Sequence, residues 1–255
     1  MSSNPFVWYE LMTSDPPAAT KFYEKVLGMS GADSGMPGMN YTIVSAGGAP
    51  VGGVMEIPAE AKQMGARPAW VGYIGVPDVD AFAAKLKAAG GTVHRPAQDI
   101  PGVGRFAVVA DPQGAAFMLF KGSTDEAPPA AADGTPGHVG WHELHAGDGP
   151  AAFAFYSGLF GWTKGEAMDM GPMGVYQLFA AGGQAIGGMM TKTPETPAPN
   201  WLYYFNVDAL DAAIERVKAG GGKVPDGPME VPGPMWVARC SDPQGAMFAM
   251  VAPKR

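Results

Sequence analysis

Two short stretches carry the residues of this sequence that are best suited to chemistry. WYEL (8–11) reappears 133 positions later as WHEL (141–144), and His145 follows the second stretch. A carboxylate beside a tryptophan in a half-buried cavity is desolvated, which suits it to act as a general acid or base, or to accept a ligand's hydrogen bond. We therefore predict Glu143 and Glu10 as catalytic residues. The alternative is that each carboxylate lies at a cavity mouth and pairs with an arginine or with backbone N–H groups.

Side-chain alternation places these acidic residues beside aromatic ones. Both stretches read as β-strands, on which every second side chain lies on the same face. Trp8 therefore shares a face with Glu10. Trp141 likewise shares one with Glu143 and His145. The histidine between Trp141 and Glu143 faces the other way, so this segment alone is not expected to supply three metal ligands.

Composition narrows the class of protein and of partner. The 255 residues are 47% apolar and 16% charged, which is typical of a folded protein with a sizeable core. A net charge of −7 argues against nucleic acid or an anionic membrane as partner, because both require basic patches. No apolar run is long enough to span a membrane. With a single cysteine, Cys240, expected to be a packed side chain, we expect a cytoplasmic location.

An internal repeat organises the whole chain. Residues 8–28 match residues 141–161 at 10 of 21 positions. The same register continues through three further pairs of segments, which are 51–55 with 186–190, 76–91 with 207–222, and 111–117 with 242–248. Two copies at this period indicate duplication of a domain rather than a solenoid. We predict a first domain at 1–122, a Pro/Gly/Ala-rich linker at 123–137 and a second domain at 138–255.

Each copy predicts the same order of elements. A first strand precedes a helix that begins at Asp15 or Asp148 and ends at a glycine, because Asp is a good N-cap and Gly a good C-cap. Strands follow, and then a further strand and a second helix, which we expect to be capped by Asp78 or Asp208. Two last strands flank the turn sequence DPQG. The predicted fold class is α+β, with one sheet face left to bury something.

These motifs resemble those of the vicinal oxygen chelate superfamily, which includes glyoxalase I, bleomycin-resistance proteins and extradiol dioxygenases. The resemblance rests on the D-x-x-A-A-x-x-F-Y-x-x-x-x-G helix, the V-x-D-x-D-x-A helix and the D-P-x-G turn, and it covers both copies. The paired W-x-E-L openings are similar to a bacterial group described as predicted enzymes related to lactoylglutathione lyase. The resemblance implies a tandem pair of glyoxalase-like domains, built from βαβββ modules whose sheets curl into ligand cups.

The resemblance also implies where a metal would bind. Metal-using members place one ligand on each of four strands. The corresponding positions here carry Trp8, Glu56, Val71 and Met118 in the first copy, and Trp141, Thr191, Leu202 and Ala249 in the second. Of these only Glu56 offers a usual metal donor, so the sequence requires no cofactor. If a divalent metal does bind, its ligands would be displaced ones: Glu10, Glu56, Glu143 and His145.

Aromatic residues at corresponding places suggest the walls of a cup. We predict as ligand-binding residues Trp8, Trp141, His145, Trp70, Trp201, Tyr73, Tyr204 and Met118. Met-rich loops at 35–40 and 167–174 would be adaptable lids over a partly apolar ligand. The alternative is that most of these aromatics are core residues.

Three functions follow from this reading. The first is an enzyme that acts on a small organic molecule without the usual metal, through Glu143 or Glu10. The second is a binding protein that sequesters such a molecule without chemistry. The third is a metal-dependent lyase or dioxygenase with displaced ligands. In each case the partner is a small molecule, and we expect a monomer whose copies pair internally or a weak homodimer.

Overall fold

The computed structural model describes residues 4–36, 38–124 and 131–255. Each copy folds as two successive βαβββ modules, which confirms the predicted fold class. The elements of the first copy are β1 (Phe6–Thr13), α1 (Pro16–Leu27), β2 (Ser30–Asp33), β3 (Tyr41–Ala46), β4 (Ala49–Glu56), α2 (Ala59–Gln63), β5 (Ala69–Gly75), α3 (Val79–Ala88), β6 (Thr92–Ile100), β7 (Gly104–Ala110) and β8 (Ala116–Gly122).

The second copy repeats this order. Its elements are β9 (Val139–Ala146), α4 (Gly149–Phe160), β10 (Thr163–Asp169), β11 (Val175–Ala181), β12 (Gln184–Thr191), β13 (Asn200–Asn206), α5 (Leu210–Ala219), β14 (Lys223–Val231), β15 (Met235–Ser241) and β16 (Met247–Ala252). A short 3-10 turn, Gly171–Met173, connects β10 to β11. Of the predicted linker, residues 125–130 lie outside the described residues.

The first helix of each copy is bounded as its sequence predicts. Asp15 accepts a hydrogen bond from the backbone N–H of Ala18 at 3.1 Å, and α1 ends at Gly28 in the left-handed conformation. Asp148 caps α4 in the same way, and that helix also ends at a left-handed glycine, Gly161. Side-chain capping satisfies a backbone donor that the helix itself cannot pair.

The predicted cap of α5 is wrong. Asp208 does not cap this helix, because the N-cap position is Ala209, whose side chain makes no capping bond. When the two copies are aligned, the capping residue Asp78 of α3 corresponds to Ala209. Asp208 lies one residue before that position. The backbone N–H of Leu210 donates instead to the carbonyl oxygen of Lys254 at 3.0 Å.

The chain divides into two compact units, and each contains half of each copy. The first unit comprises Met1–Trp8, Val71–Ala127 and Trp141–Leu202. Its strands follow the orders β5-β8-β7-β6 and β10-β11-β12-β9, with helices α3 and α4. The second unit comprises Tyr9–Trp70, Pro128–Gly140 and Tyr203–Arg255. Its strands follow the orders β2-β3-β4-β1 and β13-β16-β15-β14, with helices α1 and α5.

A buried relay of hydrogen bonds joins the two copies inside the first unit. The indole N–H of Trp201 donates to the hydroxyl of Tyr156 at 3.0 Å, and that hydroxyl donates to Asp111 Oδ2 at 3.2 Å. Asp111 Oδ1 accepts from the backbone N–H groups of Gln113 and Ala115 and so shapes the DPQG turn. Burial raises the pKa of the Asp111 carboxyl, while these hydrogen bonds act in the opposite direction.

The second unit contains the reciprocal relay. Trp70 donates to the hydroxyl of Tyr23 at 2.9 Å, and Tyr23 donates to Asp242 Oδ2 at 3.2 Å. Burial raises the pKa of Asp242 as well. In each unit, helix and turn come from different copies. Three motifs of the repeat thus serve the core. They are the Trp of β5 or β13, the Phe-Tyr of the first helix and the Asp of DPQG.

Candidate functional site

Gly188 allows a tyrosine to reach a glutamate two strands away. Gly188 on β12 pairs with Glu143 on β9 in a parallel ladder. A Cβ atom at Gly188 would lie 2.1 Å from the ring of Tyr176, so only glycine leaves room for that ring to lie across β12. At Gly187 a Cβ atom would lie 2.2 Å from the carbonyl oxygen of His142. Gly187 thus allows β12 to lie close to the backbone of β9, whereas Gly188 allows the ring of Tyr176 to lie across β12.

Four side chains form a continuous row in the first unit, joined by two hydrogen bonds and one short contact. The indole N–H of Trp141 donates to the hydroxyl of Tyr176 at 2.8 Å. That hydroxyl donates to Glu143 Oε2 at 3.1 Å. The other carboxylate oxygen, Oε1, lies 2.7 Å from His145 Nε2. Trp141, Glu143 and His145 thus lie on one face of β9, as strand alternation predicts, and Tyr176 of β11 links two of them.

The Glu143–His145 pair is almost completely shielded from solvent. Glu143 is 5% exposed and His145 is 6% exposed. A buried carboxylate requires hydrogen-bond donors, and here Tyr176 and His145 face its two oxygens. The remaining ring nitrogen, His145 Nδ1, is buried and makes no hydrogen bond to any part of the chain that the structure describes. The pair can therefore hold and move a proton, and one of its polar atoms lacks a partner.

His142 lies on the opposite face of β9 and belongs to the core. Its ring stacks on that of Phe6 with 4.2 Å between centroids, and Nδ1 lies 2.6 Å from the carbonyl oxygen of Ile186. Burial lowers the pKa of His142 to about 4.

Cys240 is also fully buried, and burial raises its pKa to about 12, which agrees with a packed thiol.

The first copy has the carboxylate but lacks the imidazole. Glu10 is 5% exposed, and Gly53 pairs with it in the β1–β4 ladder. A Cβ atom at Gly53 would clash with the ring of Tyr41, as one at Gly188 would with its tyrosine. Met12 stands where the second copy has His145. Within the repeat, only the second copy can form a carboxylate–imidazole pair at this place.

The other predicted ligand-binding residues lie in varied surroundings. Trp70 and Trp201 are buried donors of the two relays, at 4% and 7% exposure. Tyr73 is buried and pairs with the buried Met118 across β5 and β8. Tyr204 is buried on β13 opposite Ala249. Trp8 is half-buried on β1. Their contact with a ligand stays a prediction.

The candidate metal donors are not gathered into a metal site. Glu56 is 64% exposed at the end of β4 and forms an ion pair with Lys62 at 2.5 Å. Glu143 and His145 are adjacent, but they make only two donors. Across residues 4–36, 38–124 and 131–255, no three His, Cys, Asp or Glu side chains are grouped for a metal ion. Glu143 and His145 by themselves would leave most positions around a divalent cation to water or to a bound molecule.

An exposed apolar segment adjoins the tyrosine of the row. Met170, Met173 and Val175 are 38%, 48% and 57% exposed, and Val175 directly precedes Tyr176. Met170 and Met173 belong to the second Met-rich loop, 167–174, that the sequence suggested as a lid, and Val175 begins β11. The 3-10 turn within the loop gives this segment its own local structure. Its apolar side chains suit contact with a partly apolar molecule.

Sequence reasoning did not assign Tyr176 to the site, although a signal for it exists. Tyr176 precedes Gly188 by twelve residues, and Tyr41 precedes Gly53 by the same number. A tyrosine and a glycine held at one spacing in both copies indicate a contact between the two positions. Without the strand register, however, that spacing does not reveal Glu143 as the partner.

Comparison with known proteins gives consistent matches. The family model "Glyoxalase/Bleomycin resistance protein/Dioxygenase superfamily" matches residues 6–119 and 135–250. "Putative glyoxylase CFP32" of Mycobacterium tuberculosis is 35% identical over 249 residues, which cover 96% of this chain and 94% of that protein. "Anthracycline biosynthesis protein DnrV" of Streptomyces peucetius is 31% identical over 257 residues, with 96% and 91% covered.

Solved structures share the fold at low sequence identity. The 2,3-dioxygenase LapB from Pseudomonas sp. KL28 superimposes with a TM-score of 0.68 at 14% identity, covering 99% of this chain and 93% of that one. The Mn(II)-bound glyoxalase from Novosphingobium aromaticivorans superimposes with a TM-score of 0.67 at 19% identity, covering 99% of this chain and 82% of that one.

As for membrane association, none of the helices described here has the length and apolar character to cross a bilayer.

Proposed function

The chain belongs to the glyoxalase/bleomycin resistance protein/dioxygenase superfamily, and from this premise we propose that its second copy binds a small, partly apolar organic molecule beside Glu143 and transfers a proton to or from it. The observation that carries this proposal is the buried contact of 2.7 Å between Glu143 Oε1 and His145 Nε2. A carboxylate and an imidazole at this distance, away from water, are the usual components of general acid–base catalysis.

Several features support a small organic ligand. Tyr176 and Trp141 place aromatic surface next to the carboxylate, and exposed methionines follow β10. Binding sites for such molecules combine apolar walls with a few oriented polar groups. The names of the relatives, a glyoxylase and a protein of anthracycline biosynthesis, also concern small organic molecules. The acidic net charge favours such a partner over nucleic acid.

The proposal contains no metal-dependent step. One similar structure is a Mn(II)-bound glyoxalase. Among the described residues, Glu143 and His145 supply two donors, whereas Glu56 is exposed and paired with Lys62. Proton transfer by the carboxylate–imidazole pair is chemistry that these side chains supply by themselves.

A second function is favoured by the first copy. Glu10 is buried there without a histidine at the position of His145, because Met12 occupies it. A cup with a carboxylate and no imidazole suits binding of a molecule that it does not transform. Sequestration by the first copy is therefore the alternative function.

The test uses benzoin, which has aromatic rings, a hydroxyl group and a proton on the carbon beside a carbonyl group. We expect quenching of tryptophan fluorescence on binding, and exchange of that carbon-bound proton in D2O measured by NMR. Glu143→Gln should retain binding and slow the exchange by about a hundredfold or more. Glu56→Gln, a change at an exposed ion pair, is the control and should match the wild type. Equal exchange in both variants would refute a role for Glu143 in proton transfer, and binding alone would favour sequestration.

A further inference from the structure

We propose that His145 Nδ1 is the atom that takes the substrate's proton, that Glu143 is the residue that positions His145, and that the substrate is an enolisable carbonyl compound. This inference rests on the proposed function and assigns the roles within it. The sequence alone suggested the reverse, with Glu143 as the catalytic group and His145 as a ligand contact. The structure points to the imidazole for two reasons. The hydrogen bonds of the row run toward Glu143, and His145 Nδ1 has no hydrogen-bond partner.

The direction of the row is determined at its tryptophan. An indole N–H is a donor only, so the oxygen of Tyr176 must accept the hydrogen bond from Trp141. The single proton of that hydroxyl is then directed to Glu143 Oε2. A tyrosine that accepts one hydrogen bond is a stronger donor in the next, since such bonds polarise one another. Glu143 Oε2 is therefore an acceptor.

The same reasoning extends to the imidazole. The hydroxyl of Tyr176 donates to Oε2 and so favours the carboxylate form of Glu143. The proton of the 2.7 Å contact is then assigned to His145 Nε2, since a carboxylate can only accept. A neutral imidazole with its proton on Nε2 carries a lone pair on Nδ1. The opposite tautomer would place a buried N–H group on Nδ1 without a partner, which is costly. Nδ1 is thus a base whose partner is missing.

Glu143 is less suited to receive the proton itself. Both of its oxygens are already engaged, one by Tyr176 and one by His145. A carboxylate bound in this way holds the imidazole in one tautomer and stabilises the imidazolium after protonation, which is the role of the third member of a catalytic triad. By this geometry Glu143 is a positioning residue.

The proposed step balances without a cofactor. The proton on the carbon beside the substrate's carbonyl group moves to His145 Nδ1, and the electron pair of the C–H bond remains on the substrate as an enolate. The Nε2 proton stays in its hydrogen bond with Glu143 Oε1. The imidazolium then returns its proton to the same carbon or to the enolate oxygen. Nδ1 is shielded from solvent, so a substrate reaches it only when the side chains that cover it move aside.

The first experiment requires no substrate. Protein with nitrogen-15-labelled histidine is studied by NMR, and the signals of His145 are assigned by their loss in His145→Gln. We expect a neutral ring with Nε2 protonated and Nδ1 unprotonated. In Glu143→Gln the Nδ1-protonated tautomer should become populated, because the carboxylate no longer selects the other. A wild-type ring that is protonated at Nδ1, whether neutral or as imidazolium, overturns the inference and leaves a role for Glu143 as the base intact.

The second experiment compares variants on benzoin in D2O. The amide of His145→Gln can still donate to Glu143 from the place of Nε2, but it has no atom at the place of Nδ1. We expect carbon-proton exchange to fall by about a hundredfold or more, with the dissociation constant for benzoin within about twofold of the wild type. Exchange that persists in this variant refutes the role of Nδ1, whereas absence of exchange in the wild type refutes the proposed function itself.

Discussion

Tyr156 of the second copy donates its hydroxyl proton to Asp111 of the first copy at 3.2 Å, inside the core of one compact unit. Tyr23 of the first copy contacts Asp242 of the second in the same way in the other unit. Each bond joins the first helix of one copy to the DPQG turn of the other. The duplicated halves are therefore interdependent, since neither unit is built from a single copy.

Removal of one relay hydroxyl should destabilise the protein. Tyr156→Phe leaves the indole N–H of Trp201 and one oxygen of Asp111 without this partner. We expect a loss of about 1–3 kcal/mol in the free energy of unfolding, measured by urea denaturation. Tyr23→Phe is the matched variant in the second unit and should lose a similar amount. Unchanged stability in both would mean that these relays contribute little.

Cleavage of the linker should leave the two copies associated. A protease site introduced within residues 125–130 allows the folded chain to be cut after purification. Because each unit contains half of each copy, separation would expose both cores. We expect the fragments to co-elute on a sizing column as one species of the intact mass, and to separate in urea. Separate fragments in native buffer would contradict the interdependence of the copies.

Substitution of one glycine should disturb the site through its tyrosine. In Gly188→Ala the new methyl group would overlap the ring of Tyr176, which must move away from Glu143. We expect a loss of about 1–3 kcal/mol in stability together with slower benzoin exchange. Gly158→Ala on α4 is the control, since a Cβ atom there meets nothing within 4 Å, and it should retain wild-type exchange. Normal exchange in Gly188→Ala would show that Tyr176 is not needed there.

The buried His142 should make stability depend on pH. Burial lowers its pKa from 6.5 to about 4, so below pH 6.5 the unfolded chain binds a proton that the folded chain does not. Stability is therefore lost as the pH falls from about 6.5 to 4, by on the order of 3 kcal/mol. His142→Phe keeps an aromatic ring against Phe6 and removes the titration.

The measurement is the free energy of unfolding in urea at several pH values between about 7 and 4. The difference between wild type and His142→Phe should shift in favour of the variant as the pH falls. His94→Gln, at an exposed histidine, is the control for loss of one histidine. A difference that stays constant across this range would mean that His142 takes up its proton equally in both states.

Local patterns predicted much of the fold because they act over a few residues. Asp15 and Gly28 bound α1 as their types suggest, and alternation placed Glu143 and His145 on one face. The same reasoning failed at Asp208, because a cap depends on register to the residue, and Ala209 occupies that position. It also suggested Trp70 and Trp201 as ligand walls. Both are buried donors to tyrosines, and their contact with a ligand stays a prediction.

The sequence by itself determined the duplication, the βαβββ order and the placement of carboxylate and imidazole on one face of β9, because repeats and strand alternation are written in the order of residues. Only the tertiary structure decided that Tyr176 contacts Glu143 across Gly188, and that Tyr156 contacts Asp111. Those contacts join residues 33 and 45 positions apart. They depend on strand register and on which helix packs beside which turn, and no local pattern of residues specifies either.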